Sequence, residues 1–174
     1  MRCFNSIVNQ NCGPVEIILI VDGPVNSDLR DAVIYWKKIL PIKDFWLPKN
    51  MGLAYALNYG LELCSFDWVF RIDIDDVSVN GRFELQMDKI NNNPDIDILG
   101  GDILTFEKFP NFKSGRKIPY VDKKLTQYMK LRNPINHSTV FFNRKKILDL
   151  GGYPNARLGQ DYLMLVYCQK IWLN

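Results

Sequence analysis

Residues 15–21 read "VEIILIV", a short and almost unbroken apolar run closed at once by "DGP". Such a run has no solvent face to spare and ends in a turn, so it reads as a strand buried on both sides. Strands of that kind belong to parallel sheets covered by helices. The stretch after it changes period. Over 27–40 the apolar residues Leu29, Val33, Trp36 and Leu40 recur at helical spacing, with Ser27 or Asp28 as the cap.

The alternation continues. A strand is expected at 45–48 ("FWLP"), then a helix at 52–63 with Leu53, Ala56, Leu57 and Leu61 inward. A strand at 67–72, a helix at about 80–91 and a strand at 96–104 follow. From 105 to 133 the pattern loosens into Pro, Lys and aromatic residues. "STVFF" at 138–142 is strand-like, "RKKILDL" is a short helix closed by Gly151-Gly152, and 160–171 is helical. Strands alternating with helices predict an α/β fold: a doubly wound, mostly parallel sheet with helices on both faces. At 174 residues the chain fits one domain that buries roughly 70% of its unfolded surface.

Composition excludes several classes. With 22 basic and 19 acidic residues the net charge is +3, too balanced to indicate nucleic acid. Lys123-Lys124 and Arg144-Lys145-Lys146 read as a solvated face. The four cysteines are scattered and there is one histidine, which argues against zinc and a disulfide scaffold and for a reducing compartment. No apolar run approaches the roughly 20 residues of a membrane span, and the N-terminus lacks a signal-peptide pattern. The expected location is the cytoplasm.

In a doubly wound sheet, ligands gather at the carboxyl ends of the strands. Two of those ends are acidic here, "DGP" at 22–24 and "DIDD" at 73–76. Like charges this close repel one another, and each loses hydration when partly buried. Hard divalent cations take oxygen ligands, and magnesium is commonly shared between one or two carboxylates and a substrate phosphate. Asp73 and Asp75 are two apart, so on extended backbone they point the same way while Asp76 faces elsewhere. A calcium loop starting at Asp73 fails at its fifth and sixth places, occupied by Val77 and Ser78. On this motif alone, a solvated strand-end turn explains the aspartates equally well.

The blocks around the motif carry more. "SIVNQ" (6–10), "EIILIVDGP" (16–24), "KNMGLAYALNYGL" (49–61), "RIDIDDVSVNGRFELQ" (71–86), "DILGGDI" (97–103), "NPINHSTVFF" (133–142), "GGY" (151–153) and "GQDYLMLV" (159–166) occur in that order. Together they resemble the family-two inverting glycosyltransferases of GT-A fold, in particular bacterial enzymes that extend surface polysaccharides. The resemblance implies a domain of residues 1–174, with a nucleotide-sugar-binding half at 1–104 and an acceptor-side half at 105–174. It further implies transfer of a hexose, with inversion, from a nucleotide diphosphate sugar, most often a UDP-sugar. The implied setting is O-antigen, capsule or exopolysaccharide synthesis. A saccharide acceptor, free or lipid-linked, a Mn²⁺ or Mg²⁺ ion, and peripheral contact with the cytoplasmic face of the inner membrane belong to the same expectation.

The resemblance also assigns roles. Asp22 is the nucleotide-binding acid, where Val21 replaces the first member of the family's usual pair; as a bland alternative it is a turn-former. Asn50 and Gly52 line the nucleotide pocket, or simply begin a helix. Asp73 contacts the ribose or supports the metal, and Asp75 binds the metal. Asp76 orders the loop, and Arg82 is a structural partner of these carboxylates. Asp161 is the general base, with a helix N-cap as its bland alternative, and Gln160 stands where the family has Glu. His137 is an acceptor-side or supporting residue.

Family members begin with a buried strand ahead of the "SIxxQ" helix, whereas Met1 falls inside that helix, and relatives continue beyond Asn174. Truncation at both ends is therefore expected, leaving unpaired backbone beside the absent strand. Two alternatives follow: an inactive remnant that binds nucleotide or a partner, and, more remotely, a nucleotidyltransferase with a similar acidic site.

Overall fold

The structure is a computed structural model that describes residues 1–108, 111–116, 127, 130–156 and 158–172. The Lys123-Lys124 pair lies outside the described residues. Helix α1 (Arg2–Val8) precedes strand β1 (Ile17–Val21), helix α2 (Ser27–Trp36) and strand β2 (Ile42–Trp46). β2 runs parallel to β1, with Ile17 opposite Ile42 and Val21 opposite Trp46. Helix α3 (Leu53–Leu63) packs on β1 through Gly60, where a Cβ would meet Ile20 Cγ1 at 3.3 Å.

Strand β3 (Trp68–Phe70), helix α4 (Arg82–Asn91) and strand β4 (Ile98–Leu99) follow, then strands β5 (Ile103–Lys108) and β6 (Asn111–Arg116). A 3-10 turn (His137–Thr139) leads into strand β7 (Phe141–Asn143), helix α5 (Arg144–Asp149) and helix α6 (Gln160–Trp172). β7 lies between β3 and β4 and is antiparallel to both.

Two apolar clusters hold these layers. One joins α3, β4, β7, α5 and α6 through Leu61, Ile98, Phe142, Ile147 and Met164. The other joins α1 to β2 and α4 through Phe4, Ile7, Ile42 and Phe83. Phe70 stacks on its cross-strand partner Phe141, ring centroids 3.9 Å apart, and on Phe83 at 4.4 Å. Offset aromatic stacking of this kind adds roughly 1 kcal/mol beyond area burial.

The α/β class is as expected, and the differences have local causes. The cap of α2 is Asn26, whose side chain accepts the Leu29 N–H at 3.0 Å, in place of Ser27 or Asp28. Leu53, expected inward, is 48% exposed at the first position of α3. β2 begins at Ile42, which is buried, rather than at 45.

The expected strand at 96–104 is broken at Gly100-Gly101. There the Gly101 N–H donates to Thr139 Oγ1 at 2.9 Å, and a Cβ on Gly100 would sit 2.4 Å from Ile135 Cγ2. The same latch bends 137–139 out of the expected strand at 138–142. Thr139 Oγ1 donates to Asn136 O at 2.6 Å, and Asn136 Nδ2 donates to Gly101 O at 2.9 Å. The β5–β6 hairpin fell within the stretch read as irregular. Its pairing shifts register twice, which destroys the alternation that betrays a strand.

Candidate active site

At the end of β1, Asp22 turns its carboxylate toward the approach to α3. Its two oxygens accept the Met51 N–H at 2.6 Å and the Gly52 N–H at 3.0 Å. The crossing is tight: Gly23 has φ +110°, and a Cβ there would lie 2.9 Å from Asn50 N. Gly52, at φ +92°, occupies the cap position of α3. The structure thus brings Asp22, Asn50 and Gly52 together, with Asp22 bracing the helix start from a neighbouring strand.

The end of β3 contains a residue that the sequence reading missed. Arg71, 9% exposed, forms a two-pronged ion pair with Asp73, one guanidinium nitrogen on each carboxylate oxygen. Burial nevertheless raises the Asp73 pKa above the usual aspartate value; Arg71 opposes that shift, and Asp76 and Asp75 reinforce it. The Asp76 N–H donates to Asp73 O at 3.1 Å and closes the turn. Asp75 is exposed and makes no hydrogen bond or ion pair with the described residues.

Arg82, expected as a partner of these carboxylates, instead bonds to neutral groups of the loop and of α4. Its guanidinium donates to Gln86 Oε1 at 2.9 Å, Ser78 Oγ at 3.1 Å and Arg71 O at 3.3 Å. Burial lowers its pKa to about 10, against the attraction of Asp76. Helix α1 anchors the same loop. Ser6 Oγ accepts the Ser78 N–H at 3.0 Å, while Gln10 donates to Val79 O at 2.9 Å and accepts the Phe83 N–H at 3.2 Å. The Cys3 thiol beneath is pushed up to about 11 by burial and by the three aspartates, so it stays protonated.

Asp161 approaches from α6. The helix starts at Gln160, which is buried, so Asp161 lies inside the first turn and is not the cap. Its Oδ2 accepts the Asn133 Nδ2–H at 2.6 Å, while Asn133 Oδ1 accepts the Ile135 N–H at 3.0 Å and so fixes the amide. His137 Nε2 lies 3.0 Å from Tyr153 Oη. Burial lowers the His137 pKa to about 4; Arg71 lowers it too and Asp161 opposes them. His137 is therefore neutral near pH 7, with Arg71 and Asp161 acting on it in opposite senses. Asn58 holds Tyr153 in place, accepting its N–H at 2.7 Å and donating to its carbonyl at 2.9 Å.

Arg71, Asn133, Tyr153 and Asn58 were not singled out from sequence. Arg71 had one signal, its place beside the aspartates, and Asn133 and Tyr153 lay inside quoted blocks. Among the described residues no three His, Cys, Asp or Glu side chains converge on one point. The donor set nevertheless suits a hard cation shared with a ligand's oxygens: Asp75 is exposed at the strand end, and Asp73 is two residues away.

Fold and site together define an α/β domain with aspartates just beyond the carboxyl ends of β1 and β3 and a further carboxylate, Asp161, in the first turn of a later helix. The sequence profile of Glycosyl transferase family 2 matches residues 1–151, and the chain belongs to that family. It is 40% identical, over 94% of its length, to the UDP-Gal:alpha-D-GlcNAc-diphosphoundecaprenol beta-1,3-galactosyltransferase of Escherichia coli, covering 59% of that protein. It is 39% identical over 95% of its length to an uncharacterized glycosyltransferase of Haemophilus influenzae, covering 61% of it. With the amylovoran biosynthesis glycosyltransferase AmsE of Erwinia amylovora it shares 32% identity over 92% of its length, covering 60% of that chain. The chain thus spans about three fifths of the length of these curated relatives. No described helix is long and apolar enough to cross a membrane.

Proposed function

We propose that this domain transfers a hexose from a nucleotide diphosphate sugar to a saccharide hydroxyl, with inversion, in bacterial surface-polysaccharide synthesis. One observation carries the reading: Arg71 at the end of β3 and Asp161 of α6 both act electrostatically on the same half-buried His137, which draws the strand end and the α6 carboxylate toward one site. Residues 1–104 form the donor side and 105–174 the acceptor side. The Escherichia coli relative is named for a UDP-sugar and a diphosphoundecaprenol-linked acceptor, which supports a UDP-sugar donor and a lipid-linked saccharide acceptor. Such an acceptor would place the domain at the cytoplasmic face of the inner membrane.

Asp75, with Asp73 beside it, would hold a Mn²⁺ or Mg²⁺ ion. When bound, that ion neutralises charge on the donor's diphosphate. Asp22, Asn50 and Gly52 shape the nucleotide side. In the transfer, the acceptor oxygen bonds to the anomeric carbon as the bond from that carbon to the diphosphate breaks. The hydroxyl proton passes to Asp161, and the nucleoside diphosphate leaves with the bonding pair. A single displacement inverts the anomeric centre, by the logic that separates inverting from retaining sugar chemistry. Asn133 holds the receiving carboxylate in one orientation. His137, neutral and hydrogen-bonded to Tyr153, provides a polar wall without adding a charge beside the base.

The test is a pair of substitutions. Asp161→Asn should leave UDP affinity in manganese near that of the parent and reduce transfer by roughly 10²-fold or more, the scale of a lost general base. Asp75→Asn should abolish the manganese-dependent gain in UDP affinity. Retained transfer in Asp161→Asn removes the base assignment; an unchanged manganese effect in Asp75→Asn removes that residue from the metal site.

A further inference from the structure

Arg71 is buried, at 9% exposure, yet most of its hydrogen-bonding capacity is unspent. A guanidinium carries five N–H donors. One on Nη1 and one on Nη2 meet the two carboxylate oxygens of Asp73 end-on, and the side chain makes no other hydrogen bond with the described residues. Arg82 is the contrast, since its Nε, Nη1 and Nη2 are each bonded to a separate acceptor. Among the described residues no fully buried side-chain nitrogen or oxygen lacks a partner. The Nε of Arg71 has none, so it is not sealed off and faces space that a ligand can enter.

The main chain fixes where that space lies. Arg71 directly follows β3, at the carboxyl end of the strand. Its N–H donates to Val140 O at 2.9 Å, and its carbonyl accepts from Arg82 Nη2 at 3.3 Å. Phe70 and Ile72 line the apolar cavity that runs along β1 and β3, whereas Arg71 between them does not. Its side chain therefore leaves the chain on the other side. There it acts on His137, as Asp161 does in the opposite sense.

We infer that the open edge of Arg71 is a contact for a substrate diphosphate, with Asp73 positioning the guanidinium that makes it. The end-on pair uses one fork of the guanidinium. The other fork, Nε–H with the adjacent Nη–H, is left for a second oxyanion, and two oxygens of a phosphoryl group span it as a carboxylate would. A lone hydroxyl fits less well, because one of two donors in a buried place would stay unpaired. Placed there, the guanidinium would offset negative charge as a diphosphate departs, independently of any captured ion. The inference rests on the reading of this domain as a transferase for nucleotide diphosphate sugars. The donor and a diphosphate-linked lipid acceptor share the chemistry that the fork recognises, so the test separates the two sources.

The experiment measures UDP and uridine binding by calorimetry in EDTA. The parent should prefer UDP by about 10-fold or more, the scale of charge-assisted hydrogen bonds. Arg71→Gln should erase most of that preference with uridine affinity unchanged, and Arg71→Lys, which keeps the charge but not the fork, should retain only part of it. A purely structural Arg71 predicts that both ligands weaken together or that neither does, and either result overturns the inference. A second measurement needs no variant. In the ¹⁵N-labelled parent, the Arg71 Nε–H resonance should shift and exchange more slowly on adding inorganic diphosphate, but not with chloride at equal ionic strength. Asp73→Asn, which leaves one acceptor for two donors, should reduce that response. No response to diphosphate in the parent overturns the inference whether or not the variants fold. A response in a protein that ignores uridine would keep the inference and remove the nucleotide reading. UDP and farnesyl diphosphate, added separately, identify the source: the one that shifts the resonance at the lower concentration supplies the diphosphate.

Discussion

Gly151 and Gly152 are adjacent, both have positive φ, and only one of them has a neighbour in the way. A Cβ on Gly152 (φ +70°) would lie 2.4 Å from Asn58 Oδ1 and 3.2 Å from its Cγ, whereas a Cβ on Gly151 (φ +91°) meets nothing within 4 Å. Asn58 cannot swing away cheaply, because both ends of its amide are bonded to the Tyr153 backbone. Gly151→Ala should therefore cost only backbone strain, about 1–2 kcal/mol, less about 0.5 kcal/mol for the stiffer unfolded chain. Gly152→Ala adds the loss of two partly buried hydrogen bonds at about 1 kcal/mol each or somewhat more, for a total of about 3–4 kcal/mol. With a urea slope of about 2–3 kcal/mol per molar, the two midpoints should differ by about 1 M. In an Asn58→Ala background the difference should vanish, which a double-mutant cycle measures directly. Equal midpoints for the two alanine variants in the parent background would refute the idea that Asn58 is a rigid latch under Tyr153.

Lowering pH should expose His137. Its folded pKa of about 4 lies below the model-peptide value of 6.5, so the unfolded chain takes the proton first. This contribution to stability is complete above pH 6.5, falls as pH drops toward 4, and is worth ~3 kcal/mol in all. His137→Gln should remove close to one proton's worth of slope between those values in urea-unfolding curves; an unchanged slope would mean that His137 is solvated. Asp22→Ala should cost about 2 kcal/mol by stripping acceptors from the Met51 and Gly52 N–H groups, and Asp22→Asn about half that, both read by chemical denaturation. Asn133→Ala should lower kcat about 10-fold with donor KM unchanged and Tm nearly so; a matching rise in KM would assign Asn133 to donor binding instead.

The alternation of strands and helices was legible because both the period and its termination are local. "VEIILIV" followed by "DGP" predicts a buried strand with a turn at its end whatever lies across the sheet. The acids at 22 and 73–76 were legible for the same reason, since strand ends are where such sheets collect ligands. What Asp73 pairs with was not legible. Arg71 sits in a run that reads as strand, and only the folded backbone decides that its guanidinium returns to Asp73. The bland cap reading of Asp161 fails on the helix start, which differs by a single residue, finer than sequence pattern resolves. Gly100-Gly101 breaks the expected strand because Thr139, 38 residues later, captures its backbone, and no window of neighbouring residues contains that partner.

Arg71 gives the strand-end acids a countercharge that is present from the moment the chain closes. An acidic cluster that depends on a captured ion to offset its own repulsion ties production of the folded protein to metal supply. Here one of the three carboxylates has a guanidinium partner encoded two positions earlier in the same chain. On the proposed reading, in which Asp75 would hold an ion, folding and ion loading would then be separate events. Chelation during purification should then leave the protein foldable, and what it would remove is readiness for ligand.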